Sequence, residues 1–243
     1  MEEIKCKESN KLTDSLLSAV IHDLRTPLAA IKGYSTMMID YFPNLSVEEI
    51  KEYIQSIDNA TDSLTKLVDN LLDTSRLEAG VVKLDKSPVN IASFIKEAVK
   101  EAESRNKRHE ILVALEINLP RMHIDQRRIR QVLDNLIDNA ARVSAPGTEI
   151  LIFAINDGQE LTISVTDRGP RMPAMEFNNI LNQTDRAERA LTTNGNGINL
   201  YLYMSQKLVE AHGGRIWAKG ADGKGTTIYF TLPIAALENT RKN

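Results

Sequence analysis

The segment His22-Asp23-Leu24-Arg25-Thr26-Pro27-Leu28 concentrates groups able to move protons and form covalent bonds. Around it the apolar residues Leu16, Leu17, Val20, Ile21, Leu24, Leu28, Ile31 and Met38 recur at three- and four-residue steps, so the segment is predicted to lie in a helix. His22 falls off the seam of Val20, Ile21 and Leu24, on a flank open to solvent. Thr26, four residues on, shares its face. Asp23, beside the imidazole, can accept a proton and leave the other ring nitrogen nucleophilic. Pro27 cannot donate to the carbonyl of Asp23, so a bend is expected there. A proline inside a helix costs about 3 kcal/mol, which a sequence tolerates more readily where a kink reorients something useful. A lone surface histidine on a helix is usually inert; these neighbours argue against that reading.

A second group of polar residues sits at Asn135-Leu-Ile-Asp-Asn139 and Arg142. On a helix the two amides stack one turn apart, with the cation on the same face. Their oxygens suit a hard cation such as Mg²⁺, whose shell phosphates commonly complete. Spacing alone leaves the plainer alternative open, that of ordinary polar positions on an exposed helix face. Further on, Asp167-Arg-Gly169 ends an apolar strand. A carboxylate there can accept the amino group of adenine, and Gly169 allows close backbone approach; a simple Asp-x-Gly turn is the alternative.

These groups need elements to position them. The chain has 243 residues, enough for one large domain or two small ones at about 100–200 residues each. With 42% hydrophobic and 26% charged residues it reads as globular, which excludes a mainly disordered protein. Thirty basic residues against 33 acidic leave a net charge of −3, so bulk electrostatics make no case for nucleic acid. The single cysteine, Cys6, excludes an intramolecular disulfide framework and a multi-cysteine zinc site. His109, His123 and His212 lack metal spacing and read as surface or packing residues. No apolar run approaches the roughly 20 residues of a membrane span, and Met1–Asn10 is too polar for a secretory signal. A soluble protein of a reducing, cytoplasmic compartment is expected.

The first helical stripe stops near Tyr41, and Ser46 with Glu48 and Glu49 forms a capping-box-like start for the next. The second stripe runs through Tyr53, Ile54, Ile57, Ala60, Leu64, Leu67, Val68, Leu71 and Leu72 to Ala79-Gly80. Two long helices joined so briefly make an antiparallel hairpin. Such a hairpin cannot bury its apolar face alone, and pairing with a second copy into a four-helix bundle is the simplest solution; an intramolecular coiled coil docked on the second domain is the other. After Gly80 the texture changes. Helices are predicted at Ala92–Glu103, Ile124–Val143 and Tyr201–His212, with an apolar run at Ile111–Ile117. Strands Thr148–Ala154 and Leu161–Thr166 join across Asn156-Asp157-Gly158, and Arg215–Ala218 and Thr226–Leu232 across Asp222-Gly223. Antiparallel hairpins with helices on one face mean a two-layer α+β sandwich rather than a doubly wound sheet. The expected domains are residues 1–82 and 83–243.

The stretch His22–Tyr34, HDLRTPLAAIKGY, closely resembles the phosphoacceptor box of two-component sensor histidine kinases. Asp69–Gly80 is similar to the second helix of their dimerisation domain, and the resemblance continues to Pro233. It implies that His22 is the residue phosphorylated, with Asp23 as its base, and that Thr26 positions water for hydrolysing an aspartyl phosphate on a response regulator. It also implies that Asn135–Asn139 is the asparagine box of a histidine-kinase-type ATPase fold. Asn135 then holds Mg²⁺, and Asn139 and Arg142 join it on the triphosphate of ATP. Asp167 and Gly169 take the adenine, Gly195 and Gly197 belong to the glycine-rich lid, and Thr227 belongs to the nucleotide site. His212-Gly-Gly-Arg-Ile-Trp and Gly223-Lys-Gly-Thr-Thr227 also follow the family, with Gly214 and Gly225 read as turn glycines and Trp217 as core.

The departures are specific. Arg142 replaces a lysine, which keeps the charge and alters its geometry, and Val143 stands where an aromatic often covers the base. Arg171 stands where a second glycine is usual. Leu181 and Thr184 replace phenylalanines, although Arg186 is retained. Asn199 and Tyr201 occupy glycine positions of the lid, and Gly195 restores a Gly-x-Gly pair only if the lid is realigned by two residues. Glycine-rich turns hold phosphates because backbone N–H groups approach without side chains, so a tyrosine there obstructs unless it points away. Two functions are therefore expected to compete. One is the core of a homodimeric kinase that phosphorylates His22 from ATP·Mg²⁺ and passes the phosphoryl group to a response-regulator aspartate, with a hinge near Gly80 and a mobile lid at Asn182–Asn196. The other is a degenerate dimeric phosphotransfer or phosphatase module that binds ATP weakly or not at all. Either could be the cytoplasmic core of a longer, membrane-attached protein.

Overall fold

The computed structural model describes residues 21, 24–78, 83–172, 175, 177, 198–220 and 225–234. Cys6, His22, Asp23, the hinge at Gly80, Leu181, Thr184, Arg186, the expected lid and its Gly195 and Gly197 lie outside them. The chain divides into two compact units: Met1–Val81 with Gln183–Tyr201, and Val82–Asn182 with Leu202–Asn243.

In the first unit, residues 24–41 are helical (α1), a 3₁₀ turn covers Phe42–Asn44, and α2 runs Val47–Glu78. The start of α2 is a reciprocal capping box. Ser46 N–H and Oγ–H both donate to Glu49 Oε2, each at 2.8 Å, and Glu49 N–H donates back to Ser46 Oγ at 3.2 Å. Those bonds hold the Glu49 carboxyl below its ordinary pKa. The hairpin is antiparallel, since Tyr34 of α1 meets Tyr53 of α2 with ring centroids 5.5 Å apart. Leu67 is buried, with Leu24, Leu71 and Tyr201 packed against it. Part of the apolar stripe stays uncovered: Leu28, Ile54, Val68 and Leu72 are exposed, whereas Ile31, Met38, Tyr53, Ile57, Leu64 and Leu71 are half-buried.

The second unit is a two-layer sandwich. Its strands are β1 Ser87–Asn90, β2 Glu110–Leu115, β3 Arg121–Ile124, β4 Glu149–Asn156, β5 Glu160–Thr166, β6 Ile216–Gly220 and β7 Thr226–Pro233. A five-stranded sheet has the order β2-β4-β5-β7-β6, and β1 pairs with β3 separately. The β4–β5 and β6–β7 pairs are antiparallel as expected, but β2 and β4 run parallel. Helices α3 (Ile91–Arg105) and α4 (Gln126–Val143), with α5 (Ile198–Ala211) from Leu202 onward, supply the other layer. Alternate residues of β4, Ile150, Ile152 and Ala154, face this layer, where Phe94, Ile95, Leu133, Leu136, Ile137, Leu208 and Val209 are buried.

Two expectations need correction. Ile124 belongs to β3 rather than to α4, which begins after Asp125, whose side chain caps it by accepting from Arg128 N–H at 3.1 Å. Trp217 is only half-buried, because β6 turns it toward the sheet's other face, where it stacks on Tyr229 with centroids 5.3 Å apart. Ala218, next along the strand, is the residue that enters the core. Among the described residues no helix is long and apolar enough to cross a membrane.

Candidate functional site

The site is built around Asp167, which follows the last residue of β5 and is only 3% exposed. Asp167 N–H donates to Thr226 O at 2.9 Å. Its Oδ1 accepts from Gly169 N–H at 2.8 Å and from Thr226 N–H at 3.2 Å. Burial pushes the carboxyl above its ordinary pKa, and the two backbone donors only partly offset that. A buried carboxylate oxygen served by neutral donors is a strong acceptor for a further N–H group. Gly225 is required where it stands. Its φ is +81°, and a Cβ there would run into the carbonyl oxygen of Asp167.

The turn after Asp167 packs on the end of α4. Arg168 N–H donates to Ser144 Oγ at 3.1 Å, and a Cβ on Gly169 would lie 2.6 Å from the Val143 carbonyl oxygen. Close approach is therefore the reason for glycine at 169, where φ is not positive. Thr226 Oγ1 accepts from Met172 N–H at 2.9 Å and donates to Pro170 O at 3.2 Å, which ties the loop to β7. Thr227 pairs with Thr166 through their hydroxyls at 3.0 Å. The aliphatic stem of Arg171 lies along Gly220, where a Cβ would come 2.6 Å from Arg171 Cγ.

Along α4, Asn135 is half-buried and Asn139 is 7% exposed. Arg142 Nη2 donates to Asn139 Oδ1 at 3.1 Å, and Asn135 Nδ2 donates to Ser205 Oγ of α5 at 3.4 Å. The fold thus brings Asp167, Gly169 and Thr227 together through β5 and β7 and sets their turn against Val143 and Ser144 at the end of α4, the helix that carries Asn135, Asn139 and Arg142. Thr26 is exposed on α1 in the other unit. Sequence reasoning missed Ser144, Ser205 and Thr226. Ser205 alone left a signal, a hydroxyl inside the apolar stripe of Leu202, Met204, Leu208 and Val209.

The donor set fits a magnesium nucleotide on its own chemistry: neutral amide oxygens, an arginine beside them, a buried carboxylate and a glycine where backbone meets backbone. Comparison with known proteins bears on the family. Residues 13–80 match the His Kinase A (phospho-acceptor) domain, and residues 124–236 match the histidine kinase-, DNA gyrase B- and HSP90-like ATPase. The chain belongs to the sensor histidine kinases. The sensor histidine kinase WalK of Bacillus subtilis is 32% identical over 221 residues, covering 88% of this chain and 35% of WalK. Full-length ShkA in complex with AMPPNP superposes with a TM-score of 0.64 at 27% identity, over 92% of this kinase chain and 46% of ShkA. The histidine kinase ThkA in complex with the response regulator protein TrrA has the same fold, with a TM-score of 0.66 at 22% identity over 96% of this chain and 66% of that one. This histidine kinase chain thus spans about a third of the length of WalK.

Proposed function

We propose that this chain is the catalytic core of a homodimeric cytoplasmic sensor kinase that phosphorylates His22 from ATP and passes the phosphoryl group to a response-regulator aspartate. The observation that carries this reading is the ATPase unit itself, in which Asp167 is buried and held by Gly169 and Thr226 beside the end of the asparagine-bearing helix. In that unit Asp167 accepts the adenine amino group, and Gly169 lets the base approach. Asn135, Asn139 and Arg142 hold the phosphates and Mg²⁺, and Gly195, Gly197 and Thr227 complete the binding set. Bound Mg²⁺ supplies neutralisation of the charge on the triphosphate.

At His22, an imidazole nitrogen bonds to the γ-phosphorus as the bond to the bridging oxygen of departing ADP breaks, and the ring proton passes to Asp23. The phosphoryl group then leaves that nitrogen as a carboxylate oxygen of the regulator bonds to it. Catalysis in both steps is positioning and charge stabilisation. Thr26 orients the water that hydrolyses the regulator's aspartyl phosphate. The AMPPNP held by ShkA and the regulator held by ThkA support the two partners assigned here.

The test is incubation of the purified chain with labelled ATP and Mg²⁺ beside a His22→Gln control. Acid-labile label that vanishes in the control is expected; label that persists in the control overturns the assignment to His22. Absence of label together with absence of saturable nucleotide binding points instead to the degenerate module, the reading favoured by Arg171, Asn199 and Tyr201 in place of glycines.

A further inference from the structure

Ser205 is a hydroxyl in a place where α5 otherwise buries hydrocarbon. It is 0% exposed and shares the helix's buried stripe with Leu202, Leu208 and Val209. An alanine or valine fills such a position without taking a polar group out of water, a transfer that is unfavourable unless a hydrogen bond is made in return. One such bond runs to α4, where Asn135 Nδ2 donates to Ser205 Oγ at 3.4 Å. A fully buried hydroxyl thus meets a half-buried amide across two helices.

That bond matters because the two arms of an amide have nearly the same shape and opposite chemistry. Nδ2 donates and Oδ1 accepts, and a half-turn of the side chain's last torsion exchanges them. Only the oxygen can bind a hard cation. Holding Nδ2 at Ser205 sets the oxygen of Asn135 on the amide's other arm. Asn139, one turn on, is held by its opposite end, since Arg142 Nη2 donates to its Oδ1 at 3.1 Å. Its donating arm, Nδ2, suits a phosphate oxygen. The two asparagines are therefore set in opposite senses, one by a hydroxyl of α5 and the other by a guanidinium of their own helix. We propose that Ser205 is a positioning residue of the nucleotide site, which fixes the amide of Asn135 so that its oxygen, rather than its nitrogen, is presented to Mg²⁺. This rests on the role proposed above for Asn135 and adds what orients it. Groups that touch a metal's ligand and not the metal commonly carry about 10- to 100-fold of metal affinity. The effect here belongs at or below the lower end, because phosphates and water supply most of the oxygens around Mg²⁺.

The test is calorimetric titration of the whole chain with ATP, once in Mg²⁺ and once in EDTA, with the ratio of the two affinities as the readout. The native chain is expected to bind more tightly in Mg²⁺. Ser205→Ala is expected to lower the ratio at least about threefold while changing the affinity in EDTA less than about twofold, in a chain that still melts cooperatively. In an Asn135→Ala background there is no amide to orient, so adding Ser205→Ala is expected to move the ratio less than about twofold. An unchanged ratio in Ser205→Ala overturns the proposal. Equal weakening in Mg²⁺ and EDTA overturns it too, since it makes the hydroxyl a packing residue. A native chain that gains nothing from Mg²⁺, or an Asn135→Ala chain that gains as much as the native one, instead removes Asn135 from the metal and takes this proposal with it.

Discussion

Asp167 carries a carboxylate into the interior and holds it with two backbone N–H groups, so its structural role can be tested apart from the proposed role in ligand recognition. Asp167→Ala strands both donors, and a loss of about 1–3 kcal/mol in unfolding free energy is expected by chemical denaturation. Asp167→Asn keeps an oxygen for those donors and removes the charge. It is expected to melt close to the native chain while binding ATP at least about tenfold more weakly. A matching loss of stability in the asparagine variant counts against a ligand-binding role. Gly220 poses a steric question of the same size. A Cβ there meets both Arg171 Cγ and the Met172 carbonyl oxygen at 2.6 Å, and the backbone oxygen cannot swing aside. Gly220→Ala is expected to cost about 1–3 kcal/mol as an overpacked site. Arg171→Gly, with the stem removed from β6 rather than from Gly169, is expected to change nucleotide affinity less than about threefold.

The helices depend on polar ends as much as on apolar faces. The cap of α4 is shared: Asp125 Oδ2 accepts from Asp85 N–H at 3.0 Å, Oδ1 accepts from Arg128 N–H, and Asp125 N–H donates to His212 Nε2 at 3.1 Å. His212 Nδ1 donates to Leu208 O at 2.7 Å, so the ring must be neutral to accept at Nε2. Burial lowers its pKa, with Lys86 acting in the same direction and Asp125 opposing. The unfolded chain therefore binds the extra proton first, and this stability is complete above the ordinary histidine value of about 6.5 and lost as pH falls below it. Melting temperature is expected to drop from pH 7 toward pH 5, and His212→Gln, which accepts the same N–H without titrating, should flatten that part of the profile. Asp167 titrates with the opposite sign, so the difference between the two chains isolates the histidine. An unchanged slope removes His212 from the account.

At the scale of the molecule, the exposed apolar residues Leu28, Ile54, Val68 and Leu72 are the feature a single hairpin leaves unresolved. Apolar side chains left exposed on both helices of a hairpin suit association, and a second hairpin offers the same residues in return. Sedimentation velocity is expected to show a dimer, and Leu28→Asp combined with Leu72→Asp a monomer with an intact ATPase unit. A native chain that sediments as a monomer at all concentrations disposes of the bundle.

Much of this was legible in the residues because it is local. The helical stripes follow from three- and four-residue spacing, the start of α2 from Ser46 and Glu49, and the β4–β5 hairpin from Asn156-Asp157-Gly158. The asparagines, Asp167 and Gly169 stood out because amides at helical spacing and an Asp-x-Gly ending a strand are short-range patterns. β3 did not, since four residues of alternation beside a long helical pattern offer too little periodicity to separate them. The parallel pairing of β2 with β4, the outward turn of Trp217 and the match of Arg171 to Gly220 were not readable either. Each joins residues far apart in the chain, and only the packed sheet decides which backbone lies beside which.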